Sequence, residues 1–457
     1  MDRADSLELT PDKTFELNEM DRLFDRLFPI CRSITGPGVR ETIAILQEYV
    51  PLEQFAVPTG MKVFDWEVPR EWRIRDAWLK GPDGETIVDF KEHNLHVLNY
   101  SIPVNRKLAL EELKDHLYSV PHLPDAIPYV ISYYKERWGF CLPHNVLEKL
   151  GKGQYHAYVD SELVQGELNY AHVVLPGESD QEVMFSSYIC HPSMANNELS
   201  GPIVTAFLYM RLAKWKHRRF TYRFVLAPET IGAIAYLHQF GEEMREKLFA
   251  GMVLTCVGGK ESLSFKKTRR ENSELDTMVS HLVHHKKLNA RLRAFTPING
   301  SDERQFCSPG FNLPVGQMSR GLHSGFPGYH NSLDTKETMT IEALQSSLDD
   351  LEQICKALEL DGYYINRSPY GEVKLDQHGL YPDMNAPTMR GHSNNEVVDH
   401  RTQLNRILTV LNYSDGQHTM QNIADRCACS ILDLKHVITI LKEKQLIDGP
   451  FINKRGL

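Results

Sequence analysis

The chain has 457 residues, 42% hydrophobic and 24% charged, an ordinary balance for a soluble globular protein with ample material for a core. Its formal net charge of −9 argues against bulk nucleic-acid binding, while leaving room for a local basic patch. No run of about 18 apolar residues occurs, so no membrane span is expected, and the polar start Met1-Asp-Arg-Ala-Asp-Ser6 lacks an apolar signal region. The eight cysteines are scattered, and only Cys427 and Cys429 lie close together. Their spacing is not that of a zinc knuckle, so reduced thiols in a cytoplasmic protein are expected.

Residues 14–50 read as helices, interrupted by the turn Cys31-Arg-Ser-Ile-Thr-Gly-Pro-Gly38. Residues 61–149 change character: short alternating stretches such as Phe64–Val68, Ile74–Leu79 and Thr86–Phe90, with Lys80-Gly-Pro-Asp-Gly84 as a turn, predict a small β-rich insert. From about 182 to 365, apolar strands alternate with helical patterns, which predicts a mostly parallel sheet sandwiched by helices. The main α/β domain is thus expected over 14–60 and 150–365. Residues 366–399 are rich in Pro, Gly, Asn and His and read as a linker. Residues 400–457 hold an amphipathic helix, a short helix, a longer helix from Ile431 and a β wing near Leu446–Ile452.

The chemistry-bearing segments fall where strands of an α/β sheet end, the edge at which ligands bind. His191 follows the apolar run Val183–Cys190 and opens the loop Pro192-Ser-Met-Ala-Asn-Asn-Glu-Leu-Ser-Gly201. A neutral imidazole there can hold a metal or move a proton, although a plain helix-capping turn explains the same residues. Glu229 stands between a strand and a helix, where a carboxylate also serves simply to stabilise the helix N-terminus. Asp302 lies in the loop Asn299-Gly-Ser-Asp302 ahead of an apolar stretch, and an Asx-turn accounts for it equally well. His330 lies in Gly325-Phe-Pro-Gly-Tyr-His-Asn-Ser-Leu-Asp-Thr335, with Asp334 or Thr335 expected to cap the next helix.

In order and spacing, His191, Ala195-Asn-Asn-Glu-Leu-Ser-Gly201, Glu229-Thr-Ile-Gly232, Ser301-Asp-Glu-Arg-Gln-Phe306 and Tyr329-His-Asn-Ser-Leu-Asp-Thr335 resemble the zinc aminopeptidase clan with co-catalytic metals, which includes glutaminyl cyclases. Over nearly its full length the chain also resembles a bacterial family of aminopeptidase-like proteins with an inserted β domain and a C-terminal winged helix, often associated with polysaccharide biosynthesis. Arg32-Ser-Ile-Thr-Gly36, Tyr133-Tyr-Lys-Glu-Arg-Trp-Gly139 and Cys307-Ser-Pro-Gly-Phe-Asn-Leu-Pro-Val315 carry that likeness. The resemblance implies an aminopeptidase-like α/β fold, metal ligands at His191, Asn197 and His330, and Glu229 as general base with Asp302 beside it. Arg32, Ser33 and Thr35 are expected to line the substrate cleft.

Where the clan has metal-binding carboxylates, this chain has Asn197, Thr230 and Thr255. Two zinc ions about 3.5–4 Å apart need anionic ligands against their mutual repulsion, so one zinc ion is expected rather than two. Asn197, Glu229 or Asp302 would complete the shell of the two histidines. The expected function is zinc-dependent hydrolysis of an amide in a peptide-like or small-molecule substrate. The alternatives are a metal-free pseudo-peptidase that keeps the pocket for binding, and a winged-helix regulator. The tail's longer helix carries Lys435, His436, Lys442 and Lys444 but also Asp433 and Glu443, a sparse basic face for phosphate. Packing on the core or homo-oligomerisation is the expected role of the tail.

Overall fold

The computed structural model describes residues 12–320, 326–381 and 400–452. Its centre is an eight-stranded sheet ordered in space as Glu53–Pro58, Glu167–Leu175, Thr221–Ala227, Glu182–Tyr188, Leu248–Leu254, Val315–Arg320, Leu263–Lys266 and Ala290–Arg293. The four strands from Thr221–Ala227 to Val315–Arg320 run parallel, as alternating strands and helices require, and antiparallel pairs flank them. Every residue of Glu182–Tyr188 and Thr221–Ala227 is buried, which is the signature of a sheet covered on both faces. Alternation along the strands separates two cores. Phe185, Phe224 and Met252 enter one core with the helices Lys13–Leu27, Ser200–Ala213 and Ile341–Leu360. Met184, Val225 and Val253 enter the other with the helix Ile231–Lys247.

The insert is a four-stranded sheet, Thr86–Asp89, Glu71–Lys80, Gln154–Val164 and Val104–Ala109, with a core of its own. Its boundary differs from the sequence expectation of 149. Gln154–Val164 pairs on one edge with Glu71–Lys80 and on the other with Val104–Ala109, so the ladder hydrogen bonds hold the chain in the insert as far as Val164.

The C-terminal unit contains the helices His400–Tyr413, Met420–Arg426 and Lys435–Glu443 and a three-stranded sheet. Its central strand, Tyr363–Asn366, begins ahead of the expected linker and runs into its first residue, and it pairs with Asp415–Thr419 and Ile447–Phe451. Of the linker, residues 382–399 are outside the described residues. Leu404, Ile407, Ile431 and Leu434 share one continuous core with Leu348, Leu351 and Leu358 of the main domain. Polar contacts reinforce this junction. His281, on the helix Glu274–His284, bonds through Nδ1 to Asp425 at 2.8 Å and through Nε2 accepts the Ile431 N–H at 2.9 Å. Lys287 pairs with Asp433 at 2.7 Å. Among the described residues, no helix is long and apolar enough to cross a membrane.

Candidate active site

The segments singled out in the sequence converge at the C-terminal ends of the parallel strands. After the strand Glu182–Tyr188 the chain delivers His191, then winds through a π-helical turn, Ala195–Leu199, into the helix Ser200–Ala213. Such turns concentrate at functional sites. The Ser-Gly pair that follows has a packing reason. A Cβ on Gly201 would stand 2.0 Å from Ser187 Oγ and 2.5 Å from Leu254 O, so only glycine lets the helix sit on the strand ends.

His191 is 4% exposed and held from several sides. Its Nδ1 lies 3.0 Å from Glu198 Oε2, and its carbonyl accepts from Arg32 Nε at 2.9 Å. Arg32 also reaches Leu27 O at 2.7 Å and lies 3.3 Å from Glu198 Oε1. Arg32 and Glu198 form a fully buried ion pair. Burial depresses the Arg32 pKa, and the Glu198 charge opposes that. Burial also works against charge on His191, but the Glu198 hydrogen bond and the charges of Glu198 and Glu229 outweigh it and raise its pKa. The His191 Nε2 atom stands 3.8 Å from Glu229 Oε2. Glu229 in turn accepts a bond from Ser301 Oγ at 2.6 Å. Asp302 is 1% exposed and accepts the Thr230 N–H at 2.7 Å. Burial, with the nearby Glu229 charge, pushes its carboxyl well above the usual range. The loop carrying Ser301 and Asp302 is clamped by buried Lys266, which bonds Glu303 Oε1 at 2.7 Å and the carbonyls of Thr296 and Asn299 at 2.6 Å.

The His191 and His330 ring centres are 5.5 Å apart. Both line a cavity of about 280 Å³ together with Cys190, Glu229, Thr230 and Ile231. Its other walls are Ile34 and, from the insert, Trp66, Tyr129, Ile131, Tyr133 and Tyr134.

The predicted site residues therefore separate into two groups. His191, Glu229 and His330 meet at the cavity. Arg32, Ser33 and Thr35, expected to line the cleft, are buried as its supports. Ser33 bonds Asn99 and Thr35 bonds the Tyr100 hydroxyl, while Ile34 alone of this stretch faces the cavity. Asn197 is buried, its amide oxygen accepting from Cys256 Sγ at 3.5 Å and its nitrogen 4.0 Å from Met194 Sδ. Thr255 Oγ1 is taken by the Tyr188 hydroxyl at 2.6 Å. The expected cap at Asp334 or Thr335 falls elsewhere. Thr340 caps the helix Ile341–Leu360, because the Asp334 carboxylate instead accepts the N–H groups of Asn196 and Asn197 at 2.9 and 2.8 Å. As site residues Glu198, Tyr129 and Tyr133 escaped sequence reasoning, and Asp334 was expected only as a cap. For Glu198 a signal existed, a carboxylate seven residues beyond the histidine; the tyrosines lie in a different domain and gave none.

Together these features define an aminopeptidase-like α/β fold carrying a winged helix. Residues 21–361 match the family described as a domain of unknown function, DUF4910, and residues 362–449 match a winged helix-turn-helix. The chain belongs to the DUF4910 family. It is 39% identical over 429 residues, 94% of this chain and 96% of the other, to a Clostridium acetobutylicum protein named as a candidate polysaccharide biosynthesis protein with an aminopeptidase-like domain. A crystal structure of a candidate peptidase from Clostridium acetobutylicum superimposes with a TM-score of 0.85 at 36% identity, covering 98% of each chain. A zinc aminopeptidase from Bacillus subtilis shares the fold, with a TM-score of 0.54 at 13% identity over 76% of this chain and 95% of its own.

Proposed function

We propose that this protein hydrolyses an amide bond in a small or peptide-like substrate, using a site that binds one zinc ion. The observation that carries the reading is the bracing of His191. Glu198 holds Nδ1, leaving Nε2 toward Glu229. A carboxylate behind a histidine fixes its tautomer and raises its basicity, as in catalytic metal sites. His330 supplies the second imidazole. These residues suit one ion and not two, because Asn197 and Thr255 are neutral and already bonded to neighbours, and Thr230 cannot replace a carboxylate. When bound, zinc would polarise the substrate carbonyl and acidify water. Two imidazoles are fewer than the usual three protein ligands, so the ion is expected to be readily removed by chelators.

Glu229 is assigned to proton transfer: its side chain is 28% exposed and lines the cavity. In the reaction a water oxygen bonds to the carbonyl carbon while Glu229 takes its proton. The carbon–nitrogen bond then breaks and Glu229 returns the proton to the leaving amine. Ser301 orients Glu229 through its 2.6 Å bond. Thr230 and Asp302 fix the next turn of backbone.

The test is elemental analysis of untagged protein, purified without chelator, combined with a screen of amide substrates. About one zinc per chain is expected, lost in His191→Ala and His330→Ala. Glu229→Gln is expected to retain the metal and lose turnover. Loss of metal in Glu229→Gln would make Glu229 a ligand instead of the base. A protein that takes up no zinc even when it is supplied would sink the hydrolase reading in favour of a binding pocket.

A further inference from the structure

The insert does more than cover the cavity. Its segment around Tyr129 is stitched to the segment bearing His330. Tyr129 N–H donates to His330 O at 2.8 Å, and Pro128 is bridged to Asn331. Ser332 N–H donates to Ile127 O at 2.9 Å, and Ser332 Oγ accepts the Ile127 N–H at 2.9 Å. Backbone hydrogen bonds thus fix Tyr129 relative to His330. Its ring centre lies 5.1 Å from that of His191 and 5.5 Å, edge-on, from that of His330.

The Tyr129 and Tyr133 hydroxyls bond to each other. Each phenol carries one hydrogen and can also accept, so their mutual bond consumes one hydrogen and leaves one. That second hydrogen has no acceptor among the described residues, although both side chains line the cavity beside Glu229 and His191. Both tyrosines are half-buried at the cavity wall, which leaves that hydrogen open to a ligand, and a hydroxyl that itself accepts a hydrogen bond becomes a stronger donor. Tyr133 is well placed to be the inner partner. Its ring packs edge-on against Tyr100 at 5.4 Å, and Tyr100 is bonded to Thr35 Oγ1 and Arg70 O.

Building on the amide-hydrolase reading, we infer that Tyr129 donates its hydroxyl hydrogen to the carbonyl oxygen of the substrate and to the oxyanion formed when water adds. Tyr133 is a positioning residue that donates to Tyr129. As the water oxygen bonds to carbon, the carbonyl π pair moves onto oxygen, where a preplaced donor is most effective. The insert therefore contributes to the chemistry and not only to the walls.

Phenylboronic acid tests this, because its tetrahedral boronate presents an anionic oxygen at the corresponding position. Its affinity for the full-length protein is measured by calorimetry, alongside zinc content, the unfolding midpoint and, for any amide found to be cleaved, kcat and KM separately. In Tyr129→Phe, boronate affinity is expected to fall at least ~10-fold and kcat about 100- to 1,000-fold, with KM little changed. Tyr133→Phe is expected to show a smaller loss of both, and neither variant should lose zinc or its cooperative unfolding. Wild-type affinity and kcat in Tyr129→Phe would overturn the inference and leave the hydrolase reading standing. A wild-type protein that neither binds the boronate nor cleaves any amide would overturn both.

Discussion

Glu198 shows how much one buried side chain organises here. It is fully buried, shares its charge with Arg32 and holds His191 in one orientation. Removing one member of a buried ion pair leaves the other uncompensated, which typically costs about 3–5 kcal/mol. The Glu198 charge thus allows an arginine to lie buried in the turn between the first two helices. Asp334 plays the matching part on the other side of the loop after His191, accepting the N–H groups of Asn196 and Asn197. Asp334→Asn would turn one carboxylate oxygen into an NH₂ facing a donor. A loss of about 1–3 kcal/mol is expected, read from urea unfolding, together with loosening of the π turn that follows His191. Unfolding identical to wild type would remove Asp334 from this role.

At the scale of elements, the helix Glu274–His284 joins the winged helix to the sheet. Because His281 Nε2 accepts the Ile431 N–H while Nδ1 faces Asp425, its imidazole must be neutral, with the proton on Nδ1. This arrangement also leaves His281 itself no free lone pair with which to join His285 and Asp425 around a metal. Burial, only partly offset by Asp425, lowers the His281 pKa. A histidine whose folded pKa is depressed binds fewer protons folded than unfolded, so its contribution is complete above the ordinary histidine value and is lost as pH falls below it. Hydrogen exchange across Met420–Leu434 is expected to quicken as pH drops from about 7 to 5, after correction for the intrinsic rate. His281→Asn should blunt that response, and a corrected exchange rate unchanged by pH would count against the junction as an acid-sensitive contact.

For the whole molecule, the shared core decides what can be removed. Ile407, Ile431 and Leu434 from the C-terminal unit lie in one apolar cluster with Leu348, Leu351 and Leu358. Ending the chain at Asp361 would strip these partners and expose apolar surface worth roughly 25 cal/mol per Å². Such a shortened chain is expected to aggregate or to melt well below the full protein, and the full protein to unfold in a single transition. A soluble 1–361 chain with an unchanged midpoint would show the winged helix to be an independent appendage. The docked arrangement favours the role of packing over that of a free regulator domain.

Much of this was legible in the chain alone, because period-2 and period-3.6 patterns are local. Apolar runs such as Val183–Cys190 and Phe220–Leu226 placed the parallel strands to within a few residues, and strand-end logic brought His191, Glu229 and His330 to one edge. The neutral residues at Asn197, Thr230 and Thr255 were equally plain, since a side chain's charge needs no structure to read. Long-range contacts decided the rest. Only pairing on both edges assigned Gln154–Val164 to the insert, and only tertiary packing turned Arg32, Ser33 and Thr35 into buried supports. Tyr129 and Tyr133 reach the site from a separate domain, across a distance in sequence that no periodicity spans. Sequence specified which groups were available for the chemistry; the fold determined which of them face the cavity and which hold the others in place.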